Sequence, residues 1–193
     1  MSNISSIIMD IESIVSRFVE QGHDEVDTRR SIDGYLSIPL TLPVDDEPIR
    51  RLSQVLTDNG YVTTDTCEGH RNTLPHAFFH TEDQNHLRHL AHILARESGA
   101  TNYRWKLTAW SSSPWLNPDS PLSYLLKPDT SSQDINPQRD YNKLIQDLDI
   151  IGIYVMDYFN DVKAGLEEEA SERKVKEEKG LRSTPQRVHE LSN

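Results

Sequence analysis

Cys67-Glu68-Gly69-His70 sets a thiol, a carboxylate and an imidazole within four residues, around a glycine that permits a tight turn. Zinc favours thiolate and imidazole ligands, so Cys67 and His70 could supply half of a tetrahedral shell. His76 and His80 are the nearest further imidazoles. On one strand they lie roughly 13 Å apart and cannot share an ion. The expected metal set is therefore Cys67, His70 and His76, with Asp65 or Glu68 in reserve and one position left for water. Without metal, Cys67 could act as a thiolate nucleophile activated by His70, and Glu68 as a proton donor or acceptor. Arg71 is placed to meet an anionic group, and Arg104 and Lys106 are further candidate ligand-binding cations. The competing reading makes Cys67 a buried strand-end residue and His70 a turn histidine bonded to backbone. His86, His89 and His92 look like a cluster, but a helix would turn His89 and His92 away from Leu87, Leu90, Ala91 and Leu94, with His86 on a flank.

The run Gly60-Tyr61-Val62-Thr63-Thr64-Asp65-Thr66-Cys67-Glu68-Gly69-His70, followed by Ala77-Phe78-Phe79, resembles a G-Y-x-T, then C-x-G-H pattern in small uncharacterised bacterial and phage proteins. It is more remotely similar to the Ser-Cys-Ser-Gly-Arg turn of the tRNA wybutosine-synthesis methyltransferase family. Glu68 stands where that family has serine, and His70 where it has arginine. About twenty residues carry the likeness, and what it implies is a local turn with a functional role.

The elements that must position this turn are legible from periodicity. Apolar residues at helical spacing from Ile4 to Val19 predict a first helix ending near Gly22, and the polar stretch 23–30 reads as a linker. Residues 35–42 alternate Leu36, Ile38, Leu40 and Leu42 against polar neighbours, as a strand would, with Pro39 marking an edge or bulge. Acidic residues and Pro48 open a helix carrying Ile49, Leu52, Val55 and Leu56, which Asn59-Gly60 closes. Strands follow at 61–67 and 75–80, then a helix from a Thr81/Gln84 capping box to Gly99, a strand at 103–110 and a shorter one at 122–126. The order β, α, β, β, α, β predicts an α+β fold of the ferredoxin-like, split βαβ type with extra N- and C-terminal helices. Asn136-Pro137 starts a long helix whose stripe runs from Tyr141 through Leu144, Leu148, Ile151 and Val155 to Val162. The expected organisation is an N-terminal helix and linker over 1–30, a core over 31–130, the long helix over 131–162 and a charged, fraying and then disordered tail over 163–193.

The 193 residues carry a formal net charge of −11, most of it outside the core. That balance argues against nonspecific nucleic-acid binding, which normally needs a basic face. The single cysteine excludes an intrachain disulfide, and no long apolar run or basic leader is evident, so a soluble cytoplasmic protein with no membrane contact is expected. Three functions compete. The first is binding or processing of a small, nucleotide-like ligand at the Cys67 turn, with zinc as an option. Next comes a noncatalytic acidic partner protein, immunity-like or regulatory, using the terminal helices or pairing as a homodimer through the C-terminal one. The last is an RNA-binding sheet face on which His76, Phe78 and His80 point outward.

Overall fold

The structure, a computed structural model, describes residues 10–42, 47–96, 98–110 and 123–182. Asp10 caps the first helix, α1 (Ile11–Glu20), by accepting from the Ser13 N–H at 3.0 Å, and Ile14, Val15 and Phe18 form its buried face. The expected stripe before Asp10 lies outside the described residues. The polar stretch read as a linker is instead mostly helix. Asp24 accepts from Val26 N at 2.8 Å and Asp27 N at 3.0 Å, and α2 (Glu25–Leu36) runs on from it. Its core contacts are only Thr28, Ile32 and Tyr35, at spacings of four and three, too sparse a pattern to stand out among charges.

The strand expected at 35–42 does not form. Its first two residues end α2. Beyond Ser37, Ile38, Leu40 and Leu42 are half-buried between exposed neighbours, so the alternation does report an extended segment. Its backbone, however, is satisfied by side chains of α3 (Glu47–Asp58) and not by a ladder. Arg50 donates to the carbonyls of Leu40 and Leu42, Arg51 to those of Tyr35 and Leu36, and Gln54 Oε1 accepts from the N–H groups of Thr41 and Leu42.

Helix α3 buries Ile49, Leu52, Val55 and Leu56, and it closes at Gly60, where φ is +85° and Tyr61 N returns to Leu56 O at 3.0 Å. Next come β1 (Val62–Cys67), β2 (His76–His80), α4 (Gln84–Arg96), β3 (Trp105–Trp110), β4 (Ser123–Pro128) and α5 (Pro137–Arg182). Asp83, and not Thr81, caps α4, accepting from Asn85 N at 2.7 Å. The buried face of α4 centres on Leu90 and Ile93, with Leu87 and Leu94 half-buried, so the expected stripe holds at its leucines; Ala91, expected inward, is exposed, and His89, expected outward, is half-buried, while His92 is exposed as expected.

The fold is α+β. Its four strands form one sheet in the order β1-β2-β4-β3, every neighbouring pair antiparallel. Strands β2 and β3 therefore run parallel on either side of β4, joined through α4. The β, α, β, β, α, β order is not what forms, because the first strand is missing. The position beside β2 that it would have filled belongs to β4, which arrives from the C-terminal side.

From Asp140 to Val155, α5 is buried on nearly every side, with Ile150 and Ile153 as enclosed as Leu144 and Leu148. A helix apolar all round needs cover on opposite faces. On the sheet side, Asp147 grips the start of β3: its carboxylate accepts from Asn102 N, Asn102 Nδ2, Tyr103 N and the Trp105 indole, at 2.6–3.0 Å. On the other side, Phe18 of α1 stacks on Tyr154 at 4.3 Å. Tyr35 of α2 packs over Gly152, where a Cβ would lie 2.5 Å from its ring.

The chain divides into two compact units, Met1–Asp157 and Tyr158–Asn193. The second consists, in its described part, of helix, with the rings of Tyr158 and Phe159 edge to face at 5.3 Å. Helix therefore extends well past Lys163, and residues 183–193 of the expected tail lie outside the described residues. Among the described residues no helix is long and apolar enough to cross a membrane.

Candidate functional site

Strand β1 delivers Cys67 to the mouth of the β1–β2 hairpin, directly across from His76. The chain then makes a left-handed excursion. Gly69, His70 and Arg71 all have positive φ, at +90°, +45° and +64°, and the N–H groups of Asn72 and Thr73 both return to Gly69 O. Two successive non-glycine residues in this region are held at an energetic cost of about 1–3 kcal/mol each. Gly69 itself is obligatory, since a Cβ there would lie 2.1 Å from the Thr73 carbonyl oxygen. Its N–H donates to Cys67 Sγ at 3.3 Å.

This turn points Glu68 inward and His70 outward. The Glu68 side chain is 13% exposed and that of His70 59%, with Glu68 Oε1 and His70 Nδ1 3.2 Å apart. The other carboxylate oxygen, Oε2, accepts a hydrogen bond from the hydroxyl of Tyr141 on α5. Arg71 lays its guanidinium over the Tyr141 ring, 4.8 Å from the centroid. Tyr141 is thus a fourth member of the cluster, concealed in the sequence as the first position of an apolar stripe. Its one distinguishing signal was a hydroxyl at a buried helix start, which needs a partner.

Tyr141 is fixed because the start of α5 is fixed. Asn136 Oδ1 caps the N–H groups of Gln138 and Arg139, while Asp140 Oδ2 accepts from Asn136 N at 2.8 Å. The Arg139 guanidinium beside Asp140 holds that carboxyl well below the usual carboxylate range. The hydroxyl of Tyr103 also reaches Asp140, and desolvation, then this carboxylate, push Tyr103 up to about 12.

The expected zinc set is not assembled. His70 turns to Glu68, whereas His76 lies beside Leu74 O and Asp65, 3.3 and 3.8 Å away. Among the described residues no three His, Cys, Asp or Glu side chains are arranged to hold one ion. Arg104 and Lys106 are not brought to the turn either. They belong to the opposite edge of the sheet, three strand spacings or roughly 14 Å from β1. There Lys106 Nζ donates to Asp129 at 2.7 Å, which holds the Asp129 carboxyl far below its ordinary value.

On the sheet, Ala77 and Phe79 are buried while His76, Phe78 and His80 are half-buried, so the latter three share the other face as expected. His86 is engaged elsewhere, its ring against Tyr61 at 5.4 Å and Nδ1 3.3 Å from the Thr81 hydroxyl. The arrangement at the turn can do one thing chemically. A carboxylate beside the Nδ1 of an imidazole favours the tautomer that keeps its proton on Nδ1 and leaves Nε2 basic, the arrangement used to orient a general base. Compared with known proteins, the chain matches no family model, no curated protein and no solved structure.

Proposed function

We propose that the chain binds a small anionic ligand at the β1–β2 turn and handles a proton there, with His70 as the base, Glu68 and Tyr141 as its positioning residues and Arg71 as the anion-binding cation. The observation that carries this reading is the relay from Tyr141 through Glu68 to His70: a mostly enclosed carboxylate spans a helix and a strained turn to hold one exposed imidazole. Arg71 supports it, since its exposed guanidinium rests on an aromatic face and pairs with no carboxylate among the described residues. Cys67, whose thiol faces the Gly69 amide, stands at the same turn as a secondary reactive group.

The test uses two probes on the full chain. Calorimetric titration with inorganic phosphate and with AMP should show binding that Arg71→Ala weakens at least tenfold. Hydrolysis of p-nitrophenyl acetate should fall severalfold in His70→Ala and less in Glu68→Gln, with circular dichroism unchanged. No binding of either anion together with equal ester hydrolysis in wild type and His70→Ala would end this reading.

A further inference from the structure

The register sets Cys67 directly opposite His76, and opposite residues of an antiparallel pair share a face with Cβ atoms about 4.5–5.5 Å apart. Asp65, paired with Phe78, stands on the same face two residues before Cys67. The His76 ring is held from both sides. Its Nδ1 lies 3.3 Å from the Leu74 carbonyl, which can only accept, so Nδ1 carries the proton and the lone pair belongs to Nε2. Nε2 lies 3.8 Å from Asp65 Oδ2, so the ring reaches across toward β1, and a proton gained there meets a carboxylate. His70, the base expected for this thiol from the sequence, is committed to Glu68 instead.

The surroundings of the sulfur decide what such a pair can do. The Gly69 N–H donates to Sγ at 3.3 Å, so it steadies charge on the sulfur and is not left for the oxygen of a carbonyl under attack. Acyl transfer gains most from N–H donors at that oxygen, whereas thiol–disulfide exchange develops its charge on sulfur alone. Cys67 is the one cysteine in the chain, so an adduct there has no neighbouring thiol to displace it. Cys67 is also half-buried, which admits a small molecule more readily than the disulfide of a folded protein.

We infer that Cys67 is a site of reversible thiolation by a low-molecular-weight disulfide, with His76 as base and Asp65 as its positioning residue. Nε2 of His76 accepts the thiol proton, and the Cys67 sulfur attacks one sulfur of the disulfide. That S–S bond breaks and a new one joins Cys67 to half of the molecule, so Cys67 is oxidised and the departing half reduced. The departing thiolate takes the proton from His76 and leaves as a thiol. Attack by an external thiol reverses the sequence. The step shares the turn with the proton chemistry proposed above but uses neither His70 nor Glu68, so either can fail alone.

The probe is 2-hydroxyethyl disulfide, small and neutral, added to the reduced full chain at pH 7 and followed by intact mass. One hydroxyethylthio group should add per chain, at least tenfold faster than to N-acetylcysteine, and dithiothreitol should remove it. Unfolding in urea should slow the reaction to the N-acetylcysteine rate, although it exposes the sulfur fully. His76→Ala should react at least tenfold more slowly than wild type with an unchanged Tm, and added imidazole should restore part of the rate. Asp65→Asn should slow the reaction severalfold and Asp65→Glu less, while His70→Ala should react as wild type does. A folded chain that reacts no faster than N-acetylcysteine or than its own unfolded form overturns the inference. So does a wild-type rate in His76→Ala, or a rate that depends on His70 in its place.

Discussion

Asp149→Asn is expected to stabilise the chain at pH 8 and to have almost no effect near pH 4. Burial pushes the Asp149 carboxyl up to about 7, against opposing contributions from the Tyr35 hydroxyl and Arg51. The ordinary value in the unfolded chain is 3.8. Below about pH 4 the proton is bound in both states, and the contribution of this group to stability is complete. As pH rises toward 7 the unfolded chain releases the proton while the folded chain retains it, so stability falls, and above 7 the loss is complete. A carboxyl moved from 3.8 to about 7 makes that loss on the order of 4 kcal/mol. Asparagine keeps an oxygen for the Tyr35 O–H, 3.2 Å away, and has nothing to ionise.

Two residues earlier, the same substitution should act in the opposite direction. Asp147 is fully buried, and burial pushes it up to about 6, but four N–H donors converge on its two oxygens. An asparagine there would turn an NH₂ toward two of those donors, leaving them buried and unsatisfied at about 1–3 kcal/mol each. Urea unfolding of the wild type and both variants between pH 4.5 and 8 checks the pair. Asp149→Asn should lie above the wild type by an amount that grows with pH, and Asp147→Asn below it throughout. Parallel curves for the wild type and Asp149→Asn, or a less stable Asp149→Asn at pH 8, would refute the reasoning.

Gly152→Ala should destabilise, because overpacking against the Tyr35 ring, about 1–3 kcal/mol, outweighs the helix-propensity gain of about 1 kcal/mol. In a Tyr35→Ala background the sign should reverse, which thermal unfolding of the four combinations would show. Gly69→Ala is expected to lower stability by about 2 kcal/mol or more, since the clash at 2.1 Å is with backbone and cannot relax through a rotamer. The loss should appear in the Tm and as a displaced His70 resonance by NMR. Gln54→Ala should cost about 1–3 kcal/mol by orphaning the Thr41 and Leu42 amides, and hydrogen exchange should accelerate at those two residues first.

The sequence by itself determined what depends on neighbours a few positions apart. The helix over 47–58, the strands through Cys67 and His80 and the start of α5 at Pro137 follow from apolar spacing, caps and the Asn59-Gly60 stop. The Cys67-Glu68-Gly69-His70 turn was legible for the same reason, since a glycine that no other residue can replace leaves its mark locally. Tertiary structure decided the partners. Residues 37–42 alternate like a strand, yet their hydrogen bonds go to Arg50, Arg51 and Gln54, because β4 holds the place beside β2 that pairing would have required. Glu68 gained Tyr141 from a helix that begins seventy residues later, while His76 and Lys106, chemically eligible for the same site, were drawn to Asp65 and Asp129. Side-chain type and spacing state what a residue can bond to, whereas which of several equal partners it meets is set by long-range packing that no local pattern encodes.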